Sequence, residues 1–395
     1  MAVVELDELG SSQHGLTAEQ GLRLARSGLV AATPSALVPG RWDVSARGRV
    51  GAARVGDVEL WVRPKLDIAR LLFLLGYAID PKGWRDDEVD LATGDELVPA
   101  VANALCRLTE RALRRGLLQG YLEVEETSYV LRGRLRENDQ LRRHHGRVIP
   151  LELRHDDFTV DIAENRILLA AITRMLTAPR LDRHSRHRLT ALRPRLADVT
   201  TLVRGARLPE WRPNRLNARY HTALRLAEIV WRATSPEHAP GSVTATGFLF
   251  DLSRIFEDFV TVALAESLPL HGTGAAHRQF PCTLDESSAV WMRPDLVWTV
   301  GNTPAAVVDA KYKREKPDGY PNADLYQLLA YCVALGLRRG HLVYAAGVGE
   351  GNGEPSRHLV RRAGVEIVCH ALDLTAPPAT LLRQVDELAK ELTER

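Results

Sequence analysis

Two β-branched runs separated by a turn sequence occupy residues 291–313. The turn, Gly-Asn-Thr-Pro at residues 301–304, consists of residues that break strands and favour turn dihedral angles. The pattern therefore predicts a β-hairpin. Because strand side chains alternate between two faces, the second run should direct Asp309 and Lys311 to the same face. A charged pair in an apolar strand costs desolvation energy unless something pairs with it. The residues around this strand must therefore supply partners for the two charges.

Asp295 lies in the first run, and the hairpin would bring its carboxylate within reach of Asp309. Two converging carboxylates suit Mg²⁺, a hard cation that prefers oxygen ligands, with Mn²⁺ as a substitute. Such an ion polarises a phosphoryl oxygen and lowers the pKa of a bound water. Lys311 is suited to orient or deprotonate that water, or to offset charge on the phosphate. The pattern therefore predicts metal-assisted hydrolysis of a phosphodiester, with both aspartates as metal ligands.

Apolar residues at helical spacing predict a helix upstream of the hairpin, from residue 251 to residue 264. Glu257 lies within this helix and is a candidate fourth member of the catalytic cluster. The alternative interpretation is a solvated glutamate on an exposed helix face, and it stays open because most glutamates in proteins are exposed.

A second helix is predicted downstream, beginning near residue 324. Gln327 and Tyr331 are four residues apart and therefore share one face of it. The pair is a candidate for supporting the site, by contacting DNA or by bracing Lys311. A buried aromatic residue beside an amide is an equally ordinary interpretation.

The pattern Pro-Asp, a gap of 13 residues, then Asp-x-Lys ends at Lys311 and resembles the signature of the PD-(D/E)xK nucleases. The predicted order of helix, hairpin, helix and strand is close to the αβββαβ core of that superfamily. Residues 277–283 would be its first strand, and the apolar runs at 341–345 and 365–369 its later strands. In that superfamily the carbonyl oxygen of the x residue also binds the metal, so the resemblance implies a ligand role for Ala310.

Four further segments, together with the hairpin and its flanking helices, resemble the McrC family, the nuclease subunits of McrBC restriction systems. They are WVRPKL at 61–66, LRGRLR at 131–136, DDFTVDIAENRILLAAI at 156–172 and LNARYHTALRLAEIVW at 216–231. The resemblance implies an endonuclease that cuts double-stranded, methylcytosine-containing DNA in defence against foreign DNA. It also implies a partner, an McrB-like AAA+ GTPase ring, in which the N-terminal region docks and whose GTP hydrolysis it stimulates.

The sequence contains no Gly-x-x-x-x-Gly-Lys-[Ser/Thr] motif. We therefore expect this chain not to hydrolyse nucleotides, so that GTP would act only through the partner. Two rival hypotheses stay open. One is a stand-alone PD-(D/E)xK nuclease in DNA repair or recombination, and the other is a non-catalytic assembly or regulatory subunit that kept the fold.

A basic segment at residues 132–147 is a candidate contact with DNA or with the partner. On the residues alone the alternative, a solvated charged face, stays open, and the family resemblance favours a binding role. The candidate contact residues are Arg132, Arg134, Arg136, Arg142 and Arg143.

Composition indicates an ordinary globular chain, with 45% hydrophobic and 26% charged residues and a net charge of +2. Its four cysteines are far apart, which fits a reducing cytoplasm, and no run of apolar residues is long enough to span a membrane. We expect a cytoplasmic α+β or α/β multidomain protein, an N-terminal β-rich and helical region followed by a C-terminal PD-(D/E)xK nuclease domain. The predicted divisions are a β-rich, partner-docking module at 1–93, a mainly helical middle region at 94–235 and the nuclease at 236–395.

Within the middle region we predict a strand pair at residues 121–124 and 128–131. A helix is predicted from residue 161 to residue 176, with the polar run at residues 164–166 exposed on one side.

Overall fold

The computed structural model describes residues 1–81, 96–145, 147–203, 206–233, 245–312, 322–346 and 355–394. Contacts divide the chain into two units, one made of Met1–Ala100 with Ala233–Arg395 and the other of Val101–Arg232. The chain is a mixed α/β, multidomain protein with several sheets, as predicted. The predicted domain boundaries, after residues 93 and 235, lie outside the described residues, so the three-domain division stays a prediction.

The N-terminal part of the first unit is rich in strands, as predicted. Its elements are β1 (Ala2–Asp7), β2 (Ser11–Gly15), α1 (Ala18–Ser27), β3 (Val30–Pro34), β4 (Arg41–Ala46), β5 (Arg49–Val55), β6 (Val58–Arg63) and α2 (Ile68–Ile79). One sheet has the order β2-β4-β3, and β1, β6 and β5 belong to a second sheet. The side chain of Asp67 caps α2 by accepting a hydrogen bond from the backbone N–H of Ala69 at 2.8 Å.

Helix α3 (Leu97–Ala112) begins in the first unit and continues into the second. The other helices and strands of the second unit are β7 (Gly120–Ser128), β8 (Arg134–Leu135), α4 (Glu137–His144), β9 (Leu151–Thr159), α5 (Ala163–Leu176), α6 (Arg183–Leu192) and α7 (His221–Arg232). Its three strands form one antiparallel sheet in the order β7-β9-β8.

The predicted strand pair at residues 121–131 is wrong. A single strand, β7, runs through the supposed turn and pairs along its whole length with β9. The alternation of half-buried and exposed side chains continues without interruption from Gly120 to Ser128, which is the pattern of one strand. The run Glu-Glu-Thr was interpreted as a turn because it is polar, although it contains no glycine, proline or asparagine.

The expectation that residues 164–166 are exposed is wrong for Asn165, which is fully buried in α5. Its side-chain Nδ2 donates hydrogen bonds to the backbone carbonyl oxygens of Leu118 at 2.8 Å and Val160 at 2.7 Å. A buried amide with backbone partners on other segments serves the packing of the unit.

The C-terminal part of the first unit begins with a strand that completes the second N-terminal sheet. Its elements are β10 (Ala245–Asp251), α8 (Leu252–His271), β11 (Ala275–Arg278), β12 (Cys282–Thr283), β13 (Trp291–Met292), β14 (Leu296–Val300), β15 (Thr303–Lys311), α9 (Asn322–Leu335), β16 (Arg339–Ala346), β17 (Ser356–Leu359), β18 (Glu366–Asp373) and α10 (Pro378–Thr393). Strand β10 pairs antiparallel with β5, and the resulting sheet has the order β1-β6-β5-β10.

A six-stranded sheet with the order β11-β14-β15-β16-β18-β17 forms the centre of this C-terminal part. The predicted hairpin is confirmed as β14 and β15, and its turn contains Gly301 at φ +61°, a left-handed conformation that glycine adopts readily. Strands β15, β16 and β18 are parallel, with α9 as the crossover from β15 to β16. The predicted strands at 341–345 and 365–369 are therefore confirmed.

Residues 277–283 were expected to form one strand, but the structure divides them. Strand β11 ends at Arg278 and the short β12 begins at Cys282. Gln279 between them has φ +50°, and Pro281 has no N–H for a strand ladder, so the chain turns there.

A cluster of buried side chains packs α9 against one face of the sheet. It includes Val307 of β15, Leu328 and Tyr331 of α9, and Leu342 of β16. Because side chains alternate along β15, the face that carries Val307 also carries Asp309 and Lys311. Among the described residues no helix is both long and apolar enough to cross a membrane.

Candidate functional site

The hairpin register holds Asp295 beside the end of β15. Leu296, the first residue of β14, pairs with Val308, so Asp295 lies next to the residues that follow Val308. Its Oδ2 accepts a hydrogen bond from the backbone N–H of Ala310 at 2.9 Å, and the residue is only 7% exposed. The fold therefore brings together two carboxylates that the sequence separates by a strand and a turn.

Asp309 and Lys311 are in contact on the same face of β15, as the alternation predicts. Lys311 Nζ lies 2.6 Å from Asp309 Oδ2, and Asp309 is 1% exposed. The contact is a salt bridge that pairs a buried carboxylate oxygen with an ammonium group. Because Asp295 is buried beside it, two carboxylates share one lysine, and the cluster carries more negative than positive charge.

Burial and repulsion disfavour the charged forms of both aspartates. Burial raises the pKa of Asp309 to about 7, and repulsion from Asp295 acts in the same direction. Burial also raises the pKa of Asp295 to about 6, with further repulsion from Glu257. Burial is the largest single effect on Lys311 and lowers its pKa, but the attraction of Asp309, Asp295 and Asp324 and the hydrogen bond to Asp309 together outweigh it, and the pKa is raised. The cluster is therefore short of positive charge.

Glu257, the candidate fourth member, lies beside Asp295. It is half-buried in α8, and its carboxylate acts on that of Asp295 both through space and through a side-chain contact. The side-chain Nε2 of Gln279 joins the two acids, donating to Glu257 Oε1 at 2.7 Å and to Asp295 Oδ1 at 3.2 Å. The structure thus places Glu257 beside the aspartates. The spacing of apolar residues in the helix did not by itself predict this position.

Gln279 was not singled out from the sequence. Its φ of +50° is uncommon for a residue other than glycine, and its backbone N–H donates to the carbonyl oxygen of Asp295 at 2.8 Å. Strained conformations of this kind cluster at functional sites. A sequence pattern carries no signal for the residue, because both its conformation and its partners depend on distant segments.

Gln327 and Tyr331 form the predicted pair on α9, with Nε2 of Gln327 donating to the hydroxyl of Tyr331 at 2.7 Å. Burial raises the pKa of Tyr331 to about 12, and the charge of Asp309 contributes to this shift. Tyr331 therefore lies on the side of the sheet that Asp309 faces. Whether the pair contacts DNA or braces Lys311 stays a prediction.

Asp324 is a further acid near the site that was not singled out. It lies in the first turn of α9, is 3% exposed, and accepts a hydrogen bond from the hydroxyl of Tyr344 at 3.4 Å. Its charge helps to raise the pKa of Lys311. Two effects on this pKa are larger: burial, which lowers it, and Asp309, which raises it. Lys311 is thus surrounded by carboxylates, which keeps its ammonium group charged.

Three of the predicted contact arginines belong to ion pairs within the second unit. Arg132, Arg136 and Arg143 each pair with a glutamate side chain, at 2.9 to 3.1 Å. The glutamate that pairs with Arg143 is Glu152, whose side chain is 2% exposed. These guanidinium groups therefore have a structural role in the small β7-β9-β8 sheet.

Arg134 and Arg142 are exposed. Arg134 lines an open cleft of about 1000 Å³ whose walls carry both signs of charge. The cleft's charged residues are Glu123, Arg132, Arg134, Arg136, Glu137, Asp139, Arg154, His155, Asp156 and Asp157. Contact of these arginines with DNA or with a partner stays a prediction.

Comparison with known proteins gives a consistent result. The profile of the family described as McrBC 5-methylcytosine restriction system component matches residues 44–345. Among solved structures, a refined half-complex from a tetradecameric assembly of Thermococcus gammatolerans McrB AAA+ hexamers with bound McrC matches with a TM-score of 0.60 and 18% identity. That match covers 98% of this chain and 100% of the other. The cryo-EM structure of the Thermococcus gammatolerans McrBC complex matches with a TM-score of 0.38 and 18% identity, covering 68% of this chain and 88% of the other. None of the curated proteins matches this chain.

Proposed function

This chain belongs to the family of McrBC 5-methylcytosine restriction system components, and we propose that it is the Mg²⁺-dependent endonuclease subunit of such a system. The observation that carries the proposal is the convergence of Asp295, Asp309 and Lys311 at the end of one hairpin, in a buried cluster with more negative than positive charge. Raised carboxylate pKa values at a specific cluster are typical of functional sites.

The arrangement of elements supports the finer assignment to the PD-(D/E)xK nucleases. Apart from the short strands β12 and β13, which pair with each other outside the six-stranded sheet, the order is αβββαβ: helix α8, strands β11, β14 and β15, helix α9 and strand β16. The candidate residues lie at the carboxyl end of β15 and just before β14, near the edge where the parallel strands of open α/β sheets present their ligand-binding side chains.

The residues present fit a divalent cation. Asp295 and Asp309 are buried carboxylates, the oxygen ligands that a hard cation prefers. Burial first and repulsion among the acids second raise the pKa of both, and a bound cation would offset both effects. Among the described residues no three side chains of His, Cys, Asp or Glu are grouped to hold a metal. Asp295, Asp309 and the backbone carbonyl oxygen of Ala310, with water, would be the ligands, as suits Mg²⁺ or Mn²⁺.

When bound, the ion would supply Lewis-acid activation of water and of the phosphodiester. Lys311 would hold the attacking water or stabilise the charge that develops on the phosphate, because its ammonium group lies 2.6 Å from Asp309 Oδ2 and stays protonated. Glu257 and Gln279 would orient Asp295 from the opposite side. Gln327 and Tyr331 would support the face of the sheet that carries Asp309.

We propose an McrB-like AAA+ GTPase ring as the partner, because the solved structure with the same fold is McrC bound to McrB AAA+ hexamers. The sequence has no P-loop motif, so GTP would be hydrolysed by the partner, stimulated by this chain. The candidates for contacts with the partner or with DNA are Arg132, Arg134, Arg136, Arg142 and Arg143, of which all but Arg136 are exposed. The substrate would be double-stranded DNA containing methylcytosine, and the place of action the cytoplasm.

The proposal is tested by cleavage of methylated plasmid with the partner GTPase, Mg²⁺ and GTP. Asp309→Ala and Lys311→Ala should abolish cutting, whereas the surface variants Asp67→Ala and Lys390→Ala should cut like wild type. Cutting by this chain without the partner would support a stand-alone repair or recombination nuclease. Stimulated GTP hydrolysis with no cutting by wild type would support a non-catalytic regulatory subunit.

A further inference from the structure

A buried glutamate of the N-terminal sheet is hydrogen-bonded to the residue that follows Lys311. Glu8 comes directly after β1, and its backbone N–H donates to the carbonyl oxygen of Arg63 at 3.0 Å, which extends the pairing of β1 with β6. Glu8 is 3% exposed. Its Oε2 accepts a hydrogen bond from the backbone N–H of Lys65 at 2.9 Å, and its Oε1 accepts one from the hydroxyl of Tyr312 at 3.1 Å.

Tyr312 is connected to both sides of the candidate site. It is the chain neighbour of Lys311, and its ring packs against that of Phe256, with 6.0 Å between the ring centroids. Phe256 is fully buried and precedes Glu257 in α8. The hydroxyl of Tyr312 is therefore hydrogen-bonded to Glu8 at the end of β1. Its ring packs against the residue that precedes Glu257, and its backbone follows that of Lys311.

We propose that Glu8 is a positioning residue for Lys311, acting through its hydrogen bond to Tyr312. This inference rests on the proposed function of Lys311. A lysine side chain has four rotatable carbon–carbon bonds, so the direction of its ammonium group depends on how firmly its backbone is fixed. Misplacement of a reacting group by about 1 Å can cost roughly 100-fold in rate. Anything that moves β1 relative to β15 would then change the rate of cleavage.

Both oxygens of Glu8 are engaged, one by the N-terminal sheet and the other by Tyr312. A carboxylate needed only for packing in the sheet could be replaced with little effect on the site. Glu5, which lies on β1 three residues before Glu8, offers that comparison, because its carboxylate forms an exposed ion pair with Arg63 at 2.9 Å. Glu5→Ala is thus the matched control for Glu8→Ala.

The test measures single-turnover cleavage by the full chain with its partner, for Glu8→Ala, Tyr312→Phe and the double variant. We expect each single variant to slow the chemical step by about 10- to 100-fold, with KM for DNA and the affinity for Ca²⁺ unchanged. The double variant should be no slower than the slower single variant, because both remove one interaction. Glu8→Gln, which keeps an acceptor oxygen for Tyr312, should recover part of the rate.

A rate equal to that of Glu5→Ala, or a loss that merely follows a fall in Tm, would overturn the inference. The environment of Lys311 gives a readout that does not need cleavage. With the lysines labelled at Cε, the Lys311 resonance should shift in Glu8→Ala and Tyr312→Phe but not in Glu5→Ala. If wild type does not cut, the proposed function fails, while an unchanged Lys311 resonance in the Glu8 and Tyr312 variants would refute the positioning role separately.

Discussion

Nε2 of Gln279 lies 2.7 Å from Oε1 of Glu257, so an exposed glutamine holds the half-buried acid that faces Asp295. We expect Gln279→Ala to lower the affinity for Ca²⁺ or Mg²⁺ by about 10- to 100-fold, the range seen when a residue that orients a metal ligand is removed. Isothermal titration calorimetry measures this without DNA.

Gln13→Ala is the control for the glutamine variant, since Gln13 is also an exposed glutamine whose side chain donates a hydrogen bond to another side chain, that of Ser35. It should bind the metal like wild type. Equal affinities for Gln279→Ala and wild type would mean that Gln279 only shapes the turn between β11 and β12.

Asp309→Asn should stabilise the metal-free protein while abolishing cleavage. The pKa of Asp309 is raised from 3.8 to about 7, so above pH 7 the folded state carries a carboxylate charge that its surroundings disfavour. The shift corresponds to an upper limit of roughly 4 kcal/mol, and we expect a gain of about 1–3 kcal/mol at pH 8. The gain should disappear below about pH 4, where the carboxyl group is protonated in both the folded and the unfolded states.

Urea denaturation in EDTA measures the Asp309 effect. Asp67→Asn is the comparison, because the side chain of Asp67 caps α2 and its replacement should give no gain in stability at any pH. A loss of stability in Asp309→Asn at pH 8 would contradict the interpretation of the site as a surplus of buried negative charge.

A buried histidine pair should make the first unit sensitive to acid. His341 and His370, on the parallel strands β16 and β18, stack with 5.2 Å between ring centroids, and His341 Nδ1 lies 2.9 Å from His370 Nε2. Burial lowers the pKa of His370 to about 4, with Glu391 opposing and Arg357 reinforcing the shift. Burial also lowers the pKa of His341, and His370, Arg339 and Arg357 act in the same direction.

A lowered histidine pKa means that the unfolded state binds protons first as the pH falls. The pair's contribution to stability is therefore present above about pH 6.5 and is lost as the pH falls to about 4, by up to about 3 kcal/mol for His370. His370→Gln should reduce this slope in the dependence of unfolding free energy on pH, leaving the part that comes from the burial of His341. His358→Leu, at an exposed position, should keep it, and an unchanged slope in His370→Gln would contradict the assignment.

Asn165→Ala should destabilise the second unit by about 1–3 kcal/mol, because it leaves the carbonyl groups of Leu118 and Val160 without their side-chain donor. Thermal unfolding followed by circular dichroism measures the effect. Asn138→Ala, at an exposed position in the first turn of α4, should change the stability by less than about 0.5 kcal/mol. Similar values for the two variants would show that Asn165 is not needed for packing.

The parts of the site that could be predicted from the sequence are those set by local rules. A turn sequence between two β-branched runs defined the hairpin, and alternation along β15 directed Asp309 and Lys311 to one face. Gln279 and Asp324 depend on the convergence of separate segments, for which a single sequence holds no signal. Asn165 was predicted to be exposed because most polar side chains are. It is buried instead, and its side chain donates hydrogen bonds to backbone carbonyl oxygens of other segments.

The pairing of β10 with β5 has a consequence for how the protein is made. Strand β5 leaves the ribosome early, but its partner at residues 245–251 follows only after the whole of Val101–Arg232 has been synthesised. The second unit is contiguous and can fold as soon as it emerges, whereas the sheet that holds Glu8 waits for a strand of the next segment. A nascent chain that stops before residue 245 therefore exposes an unpaired edge of β5, which is a site for aggregation or chaperone capture. The Lys311 site is synthesised later still, after the strand that covers this edge.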